Sequence, residues 1–258
     1  MIISKPVCFL LSVFFVLTIA SFYGEAFAEN AGMDDATDVS EKDEHMDFED
    51  EFENYETVLV FDPLSGYNRF MTKVNDKLYI WILKPAAKGY SKIVPEPGRL
   101  AIHRCFNNIL FPVRFVNNFL QFKLKRAGIE MARFGVNSTI GILGFTDPAK
   151  SWLKLDPYSE DFGQTLGYYG VGSGFHIVLP MLGPSNIRDT IGMVPDYFLN
   201  PINYIDPQAT AYGIHALEKV NYTSLHIKDY ESIKKDALDF YIFLRDVYEQ
   251  NRQIKIKE

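Results

Sequence analysis

Between Phe162 and Ile187 the chain runs for 26 residues without an Asp, Glu, Lys or Arg, and six glycines and two prolines interrupt that run. Such a stretch has the length to cross a bilayer but not the backbone. A spanning helix must pair every N–H and C=O internally, and Gly163, Gly167, Gly170, Gly172, Gly174, Pro180, Gly183 and Pro184 break that ladder. Irregular backbone at membrane depth persists only where protein covers it or where it lines a cavity. The segment therefore fits two kinds of chain: a soluble core with a Gly-rich loop packed into it, or a protein that meets lipid without threading through it.

The N-terminal residues set the compartment. Lys5 precedes a 15-residue apolar stretch, Cys8 to Phe22, followed by the small-residue pattern Ala26-Phe27-Ala28. This predicts a secretory signal peptide over residues 1–28, with Glu29 as the first mature residue. Cys8 opens the apolar stretch instead of following a Leu-x-small pattern, so no lipobox and no acyl anchor are expected. With the signal removed Cys105 is the one remaining thiol, and no internal disulfide can form. A composition that is 47% hydrophobic and 15% aromatic must supply the core, with aromatic surplus available to face lipid.

Twelve carboxylates stand against the single Lys42 between Asp34 and Glu56. Of the formal charge of −7, that leaves the residues from 57 onward at +5. Residues 29–57 read as an acidic, disordered linker, and the body as mildly basic, suited to anionic headgroups. The body is expected over residues 58–253, with 254–258 as a tail.

Helical signals dominate that body, and no convincing set of alternating strands is visible. Asp62-Pro63, Asp147-Pro148 and Asp156-Pro157 each read as a helix start. Leu124, Gly128, Met131, Gly135, Thr139 and Ile142 fall on one helical stripe, predicted to be a contact face. Ile233, Ala237, Phe240, Tyr241, Leu244, Val247 and Tyr248 form another. Leu100 to Leu120 is dense in apolar residues, carries Arg99, His103, Arg104 and Arg114 at its edges, and is divided by Pro112 into two helices. That pattern suits a core helix with surface arginines, or an interfacial membrane helix.

The chemistry of an enzyme is thin. His45, His103, His176, His215 and His226 form no metal-ligand spacing, so no metal and no cofactor are expected. Gly172-Ser173-Gly174 lacks the Gly-x-Ser-x-Gly pattern of a hydrolase elbow, and Gly170-Val171-Gly172 lacks the third glycine of a dinucleotide loop. A hidden Ser173–His176 pair would be needed for a phospholipase. Nucleic acid is not expected to be a partner of an acidic, exported chain.

Five segments carry a resemblance: Asp62-Pro-Leu-Ser-Gly-Tyr-Asn68-Arg69-Phe-Met71, Asn117-Asn-Phe-Leu-Gln121, Arg133-Phe-x-x-Asn137 continuing without a break through Gly141 to Asp147, Phe162 through Gly174, and Leu179-Pro180 followed by Arg188-Asp189. Taken together, from Phe61 to Tyr204, they resemble the MlaA family, also called VacJ. The resemblance implies an all-α, ring-like bundle of amphipathic helices embedded in one leaflet of the outer membrane around an amphipathic channel. It implies a protein that removes mislocalised glycerophospholipid from the outer leaflet and passes it to a periplasmic carrier, MlaC, beside a trimeric porin. On that reading Phe162, Gly163, Gly167, Gly170, Gly172, Gly174, Leu179, Pro180, Arg188 and Asp189 form the channel wall and rim. Asp62, Pro63, Asn68, Arg69, Asn117, Asn137, Gly141 and Asp147 are structural joints, and Phe111 and Phe115 enter lipid. The family's usual members are lipoproteins, which this chain departs from. A porin-docking adaptor that moves no lipid is the third reading beside transporter and phospholipase.

Overall fold

The computed structural model describes residues 60–258. The expected signal peptide and acidic linker lie outside the described residues. Helix α1 (Ser65–Leu78) passes through a π turn (Tyr79–Leu83) into α2 (Lys84–Ile93) without a break. Pro85, in the first turn of α2, has no N–H to give, and just before it the Lys84 N–H reaches back five residues to the Tyr79 carbonyl. Helices α3 (Glu96–Ile109) and α4 (Phe111–Leu120) follow, divided as expected with Pro112 in the first turn of α4. Then come α5 (Leu124–Thr139) and the single turn α6 (Pro148–Ser151), which the Asp147 carboxylate caps by accepting from the Lys150 N–H at 3.0 Å.

The uncharged run begins with α7 (Phe162–Tyr168), capped by Asp161, and an exposed glycine loop. It ends in an antiparallel hairpin, β1 (His176–Leu179) against β2 (Gly183–Asn186), with His176 opposite Asn186. This small sheet was not legible as alternation, because Pro184 and Gly183 occupy half of β2. Helix α8 (Ile187–Leu199) starts on an Asn186 cap, and a 3-10 turn (Pro201–Tyr204) leads to α9 (Gln208–Leu225), α10 (Ile227–Asp236) and α11 (Phe240–Lys257). The residues read as a tail continue α11 as far as Lys257. Asp156-Pro157 starts no helix, since the chain from 154 to 161 stays irregular and holds its carbonyls toward α4 and α5. Asp62-Pro63 lies just ahead of the Leu64 cap position, and its carboxylate serves a tertiary contact instead of the helix end.

The first helix and the last two close the chain on itself. The Tyr241 hydroxyl donates to Asp62, Arg69 pairs with Asp239 at 2.6 Å, and Tyr230 and Lys234 both reach Asp76 on α1. Tyr79 stacks on Tyr230 with centroids 3.8 Å apart. Joining these ends makes a closed circuit of helices.

Burial is inverted relative to a water-soluble domain. Among the described residues twelve hydrophobic side chains are buried against twenty-six polar or charged ones, while thirty-one large hydrophobic side chains are exposed. The clustered apolar core among the described residues is small: Phe106, Ile202 and Ala211, with Ile102, Ile109, Ile205 and Ile214 around it. Helix α5 shows the inversion within one element. Its apolar stripe points outward, with Leu124 and Met131 at 59 and 52% exposure, and its buried face is Ala127, Glu130, Arg133 and Asn137; Ile142, read as the end of that stripe, lies past the helix in a turn with φ of +54. The predicted contact face was therefore the wrong side of this helix. No helix among the described residues is long and apolar enough to cross a membrane.

Candidate functional site

A polar clamp holds α4, α7, α8 and α11 together. Arg252 on α11 is 1% exposed and donates through Nε to Asp189 Oδ2 at 2.9 Å and through its terminal nitrogens to Asp161. Asp189 also receives Arg188 Nε and the Tyr248 hydroxyl, at 2.9 and 2.8 Å. Burial would raise the Asp189 pKa, but the two guanidiniums outweigh it and hold the carboxyl below its usual range. Arg252 and Tyr248 are both driven well above their ordinary values, the first because paired carboxylates overcome its burial, the second through burial and Asp189. One removal here would leave an unpaired buried charge, a loss of ~3–5 kcal/mol.

Asp196 on α8 lies opposite this cluster, accepts the Phe162 N–H at 3.0 Å and Asn117 Nδ2 at 2.9 Å, and is pushed up to about 7 by burial and by Asp161. Asn117 completes the crossing by accepting from the Thr165 hydroxyl at 2.9 Å. The crossing itself depends on missing side chains. A Cβ on Gly192 would stand 2.5 Å from the Gly163 nitrogen, and one on Gly163 would stand 2.5 Å from Asp189 Oδ1. Helices α7 and α8 thus meet backbone to backbone, and Gly192 is a joint that sequence reading missed.

The hairpin is fastened to α1 by two asparagines two helical turns apart. Asn68, fully buried, donates to the His176 carbonyl at 3.0 Å and accepts from the Val178 N–H at 2.8 Å. Asn75 repeats the pattern with the Leu179 carbonyl and the Met181 N–H at 2.9 and 2.7 Å. Two side-chain amides so stand in for a third strand at the edge of β1. Asn68 was named from the motif and Asn75 was not, although their i, i+7 spacing is visible in the chain.

A cavity of about 290 Å³ is lined from α3, α4, α5, α9 and the segment from Asp147 to Ser159. Its charged lining is Arg104, Arg114, Arg133, Lys150 and Asp147, with His103 and His226 beside them. Burial, His226 and Arg104 push His103 down to about 4, so its ring is neutral at pH 7. Arg114 pairs with the buried Glu130 at 2.7 Å, and Arg133 with Asp147 at 2.9 Å. Asn137 and Asp147, expected as joints, line this cavity and are bonded to one another at 2.9 Å. Gly141 beside them is buried where an added Cβ would meet the Asn137 and Thr146 carbonyl oxygens.

The Phe162–Ile187 run contributes nothing to the lining of that cavity. Gly163, Arg188 and Asp189 are buried in the clamp, Gly167 packs against Ile256, and Phe162 supplies the N–H that Asp196 accepts. Gly170, Gly172, Gly174 and Pro180 stand exposed at the loop, with φ of +82 at Gly170 and +72 at Gly174. Leu179 is half-buried in β1 and tied to Asn75. Pro63 and Arg69 are exposed at the α1 end. Phe111 and Phe115 are half-buried, in a row of rings from Phe134 through both to Phe119 with centroids 4.5, 5.4 and 6.3 Å apart. His176 is 1% exposed with Nδ1 on Glu249 at 2.9 Å and Nε2 buried without a hydrogen bond, so no Ser173–His176 dyad is assembled.

Comparison with known proteins places this geometry. Residues 60–255 match the family model described as MlaA lipoprotein. The chain is 32% identical over 201 residues to the intermembrane phospholipid transport system lipoprotein MlaA of Haemophilus influenzae, covering 76% of this chain and 80% of that one. It is 31% identical to the protein of the same description from Escherichia coli over 194 residues, covering 73% and 76%. An uncharacterised protein of Rickettsia felis is 32% identical over 201 residues, or 77% and 79% of the two chains. A solved chain described under "Structural basis for maintenance of bacterial outer membrane lipid asymmetry" superposes with a TM-score of 0.66 at 31% identity, over 76% of this chain and 98% of that chain. With its closed circuit of helices, its polar interior and a family model that matches nearly all of the described body, the chain belongs to the MlaA family.

Proposed function

We propose that this protein is a phospholipid transporter of the outer membrane, seated as a ring in one leaflet, and that it moves mislocalised glycerophospholipid from the outer leaflet to a periplasmic carrier. The observation that carries this reading is the inverted burial. Thirty-one exposed large hydrophobic side chains around a hydrogen-bonded polar interior are costly in water and favourable in hydrocarbon. Since no described helix is both long and apolar enough to span, the fitting environment is one leaflet.

Transport needs a sheltered path for a physical reason. Each methylene brought into water costs ~0.8 kcal/mol, so a lipid with on the order of 30 methylenes faces roughly 24 kcal/mol if it leaves bare. A wall that is apolar for tails and polar for the headgroup removes most of that barrier. The family relationship supports a phospholipid cargo, because the relatives from H. influenzae and E. coli are described as parts of an intermembrane phospholipid transport system. In this reading an MlaC-like carrier receives the lipid, a trimeric porin holds the ring, and the glycine loop with Leu179-Pro180 forms the rim.

Mass spectrometry of lipid retained by the purified protein tests the proposal. Intact diacyl lipid is the expected result. Lysolipid would favour hydrolysis, and an empty protein would leave only an adaptor that moves nothing.

A further inference from the structure

The lining of the 290 Å³ cavity is not electrically balanced. Two of its four cations are committed, Arg114 to Glu130 and Arg133 to Asp147. Arg104 is exposed and makes no ion pair among the described residues, and Lys150 has only Asp156 at 4.0 Å, with both side chains more than 60% exposed. The cavity therefore presents one cation with no ion pair among the described residues, Arg104, and one held only by a long, solvent-exposed pair, Lys150. Burial together with the positive fields of His226 and Arg104 keeps the neighbouring His103 ring neutral, as a cationic pocket should.

At the lip of this pocket stands Phe134, 38% exposed and stacked on Phe111 at 4.5 Å. From there the rings of Phe111, Phe115 and Phe119 continue along α4 to Phe119, which is 55% exposed. A cationic pocket too small for two acyl chains is thus continuous with an apolar track that leads away from it. That is the polarity of a lipid laid out from headgroup to tail.

We propose that this cavity is a headgroup subsite of the transported lipid, that it selects a phosphate-bearing headgroup of net negative charge through Arg104 and Lys150, and that the Phe134 to Phe119 ring row takes up an acyl chain. This rests on the transport reading above. It goes further in naming which headgroups the protein prefers.

The test uses the full mature chain in a neutral maltoside detergent, titrated with three probes: glycerol phosphate, dihexanoyl phosphatidylglycerol and dihexanoyl phosphatidylcholine. The wild-type protein should bind the phosphatidylglycerol at least tenfold more tightly than either of the others. Arg104→Glu with Lys150→Glu should abolish the preference for phosphatidylglycerol over phosphatidylcholine while melting as the wild type does. Phe134→Ser should keep that preference but lose the advantage of the diacyl lipid over glycerol phosphate, and Phe119→Ser at the exposed end serves if Phe134→Ser fails to fold. A folded charge-reversal variant that keeps the preference overturns the inference. So does glycerol phosphate binding as tightly as the lipid, which would make the cavity a site for small phosphates. Lipid retained from membranes by wild-type protein is scored separately: if diacyl lipid is retained but no headgroup is preferred, the subsite falls and transport stands.

Discussion

Phe122 offers a substitution that should improve the fold and weaken its hold on a membrane at once. It follows α4 with φ at +56 and is 72% exposed, a left-handed backbone carrying a bulky ring into the surroundings. A left-handed conformation costs an ordinary L-residue about 1–2 kcal/mol, and Asn bears it more easily because its short polar side chain bonds locally. Phe122→Asn should therefore leave stability unchanged or raise it by up to about 1 kcal/mol. In lipid the balance reverses. A fully buried Phe is worth about 1.5–3 kcal/mol, and nearly three quarters of this ring is open, so about 1–2 kcal/mol of insertion is lost, or roughly a fivefold to thirtyfold drop in partitioning. Adding Phe119→Asn, at 55% exposure, removes a further ~0.8–1.6 kcal/mol, for a combined drop of roughly twentyfold to several hundredfold. Flotation of the mature protein on liposomes reads the partitioning and thermal melting reads the fold. A double variant that melts as the wild type and floats as well as the wild type would refute the inverted-burial argument for this face. Melting that collapses would mean that the ring is held by packing, against its 72% exposure.

Asn68→Ala should cost about 3–5 kcal/mol, because it leaves the His176 carbonyl and the Val178 N–H buried without partners, whereas Asn75→Ala, nearer the surface, should cost about 1–2 kcal/mol; paired urea titrations check the ratio. Gly192→Val should open the α7–α8 crossing and abolish transport, since the neighbour it meets is backbone, while Ser173→Ala should leave transport unchanged; lipid-transfer assays between vesicles read both. The Asp196 carboxyl has a folded pKa near 7, above its unfolded value, so its contribution to stability is fully present below about pH 4 and is lost as pH rises to about 7. Asp196→Asn should flatten that part of the stability profile, and denaturant titrations at pH 5 and pH 8 on both proteins would expose a slope that does not change. For Phe111→Asp with Phe115→Asp, flotation should weaken while high salt alone releases nothing, because salt screens only the headgroup attraction; salt release of wild-type protein would contradict insertion.

How far the chain could be read before its structure depended on which side of each helix was taken to face inward. Helical class, the break at Pro112 and the Asp147 cap follow from local rules about donors, proline and period, and local rules do not care what surrounds the body. The outward stripe of α5 does. Periodicity placed Leu124 and Met131 on one face correctly, although the helix ends before Ile142, but that face is exposed and not the interior. The polar residues Glu130, Arg133 and Asn137 recur at helical spacing too, and that second stripe was the available signal for the buried side. The clamp was half legible: Arg188-Asp189 stood in a motif, whereas Arg252 lies more than sixty residues further on and gains its meaning only when α11 returns to α8. Gly192 pairs with Gly163 by a crossing that no spacing encodes.

The polar interior also explains why a ring can be held together where the hydrophobic effect offers little. In hydrocarbon an exposed Leu gains nothing by turning inward, so helix association falls to close backbone packing and to hydrogen bonds between side chains. Both devices appear at the same joints here. Gly163 against Gly192 brings two backbones into contact, and Asp189, Asp161 and Arg252 bond across the gap that this contact creates. Asn68 and Asn75 do the same for the hairpin, and Asp62 with Tyr241 for the closure of the first helix on the last. These bonds lie between the elements they join, while thirty-one large hydrophobic side chains among the described residues stay exposed. Arg104 and Lys150, the cations of the proposed headgroup subsite, take no part in these joints.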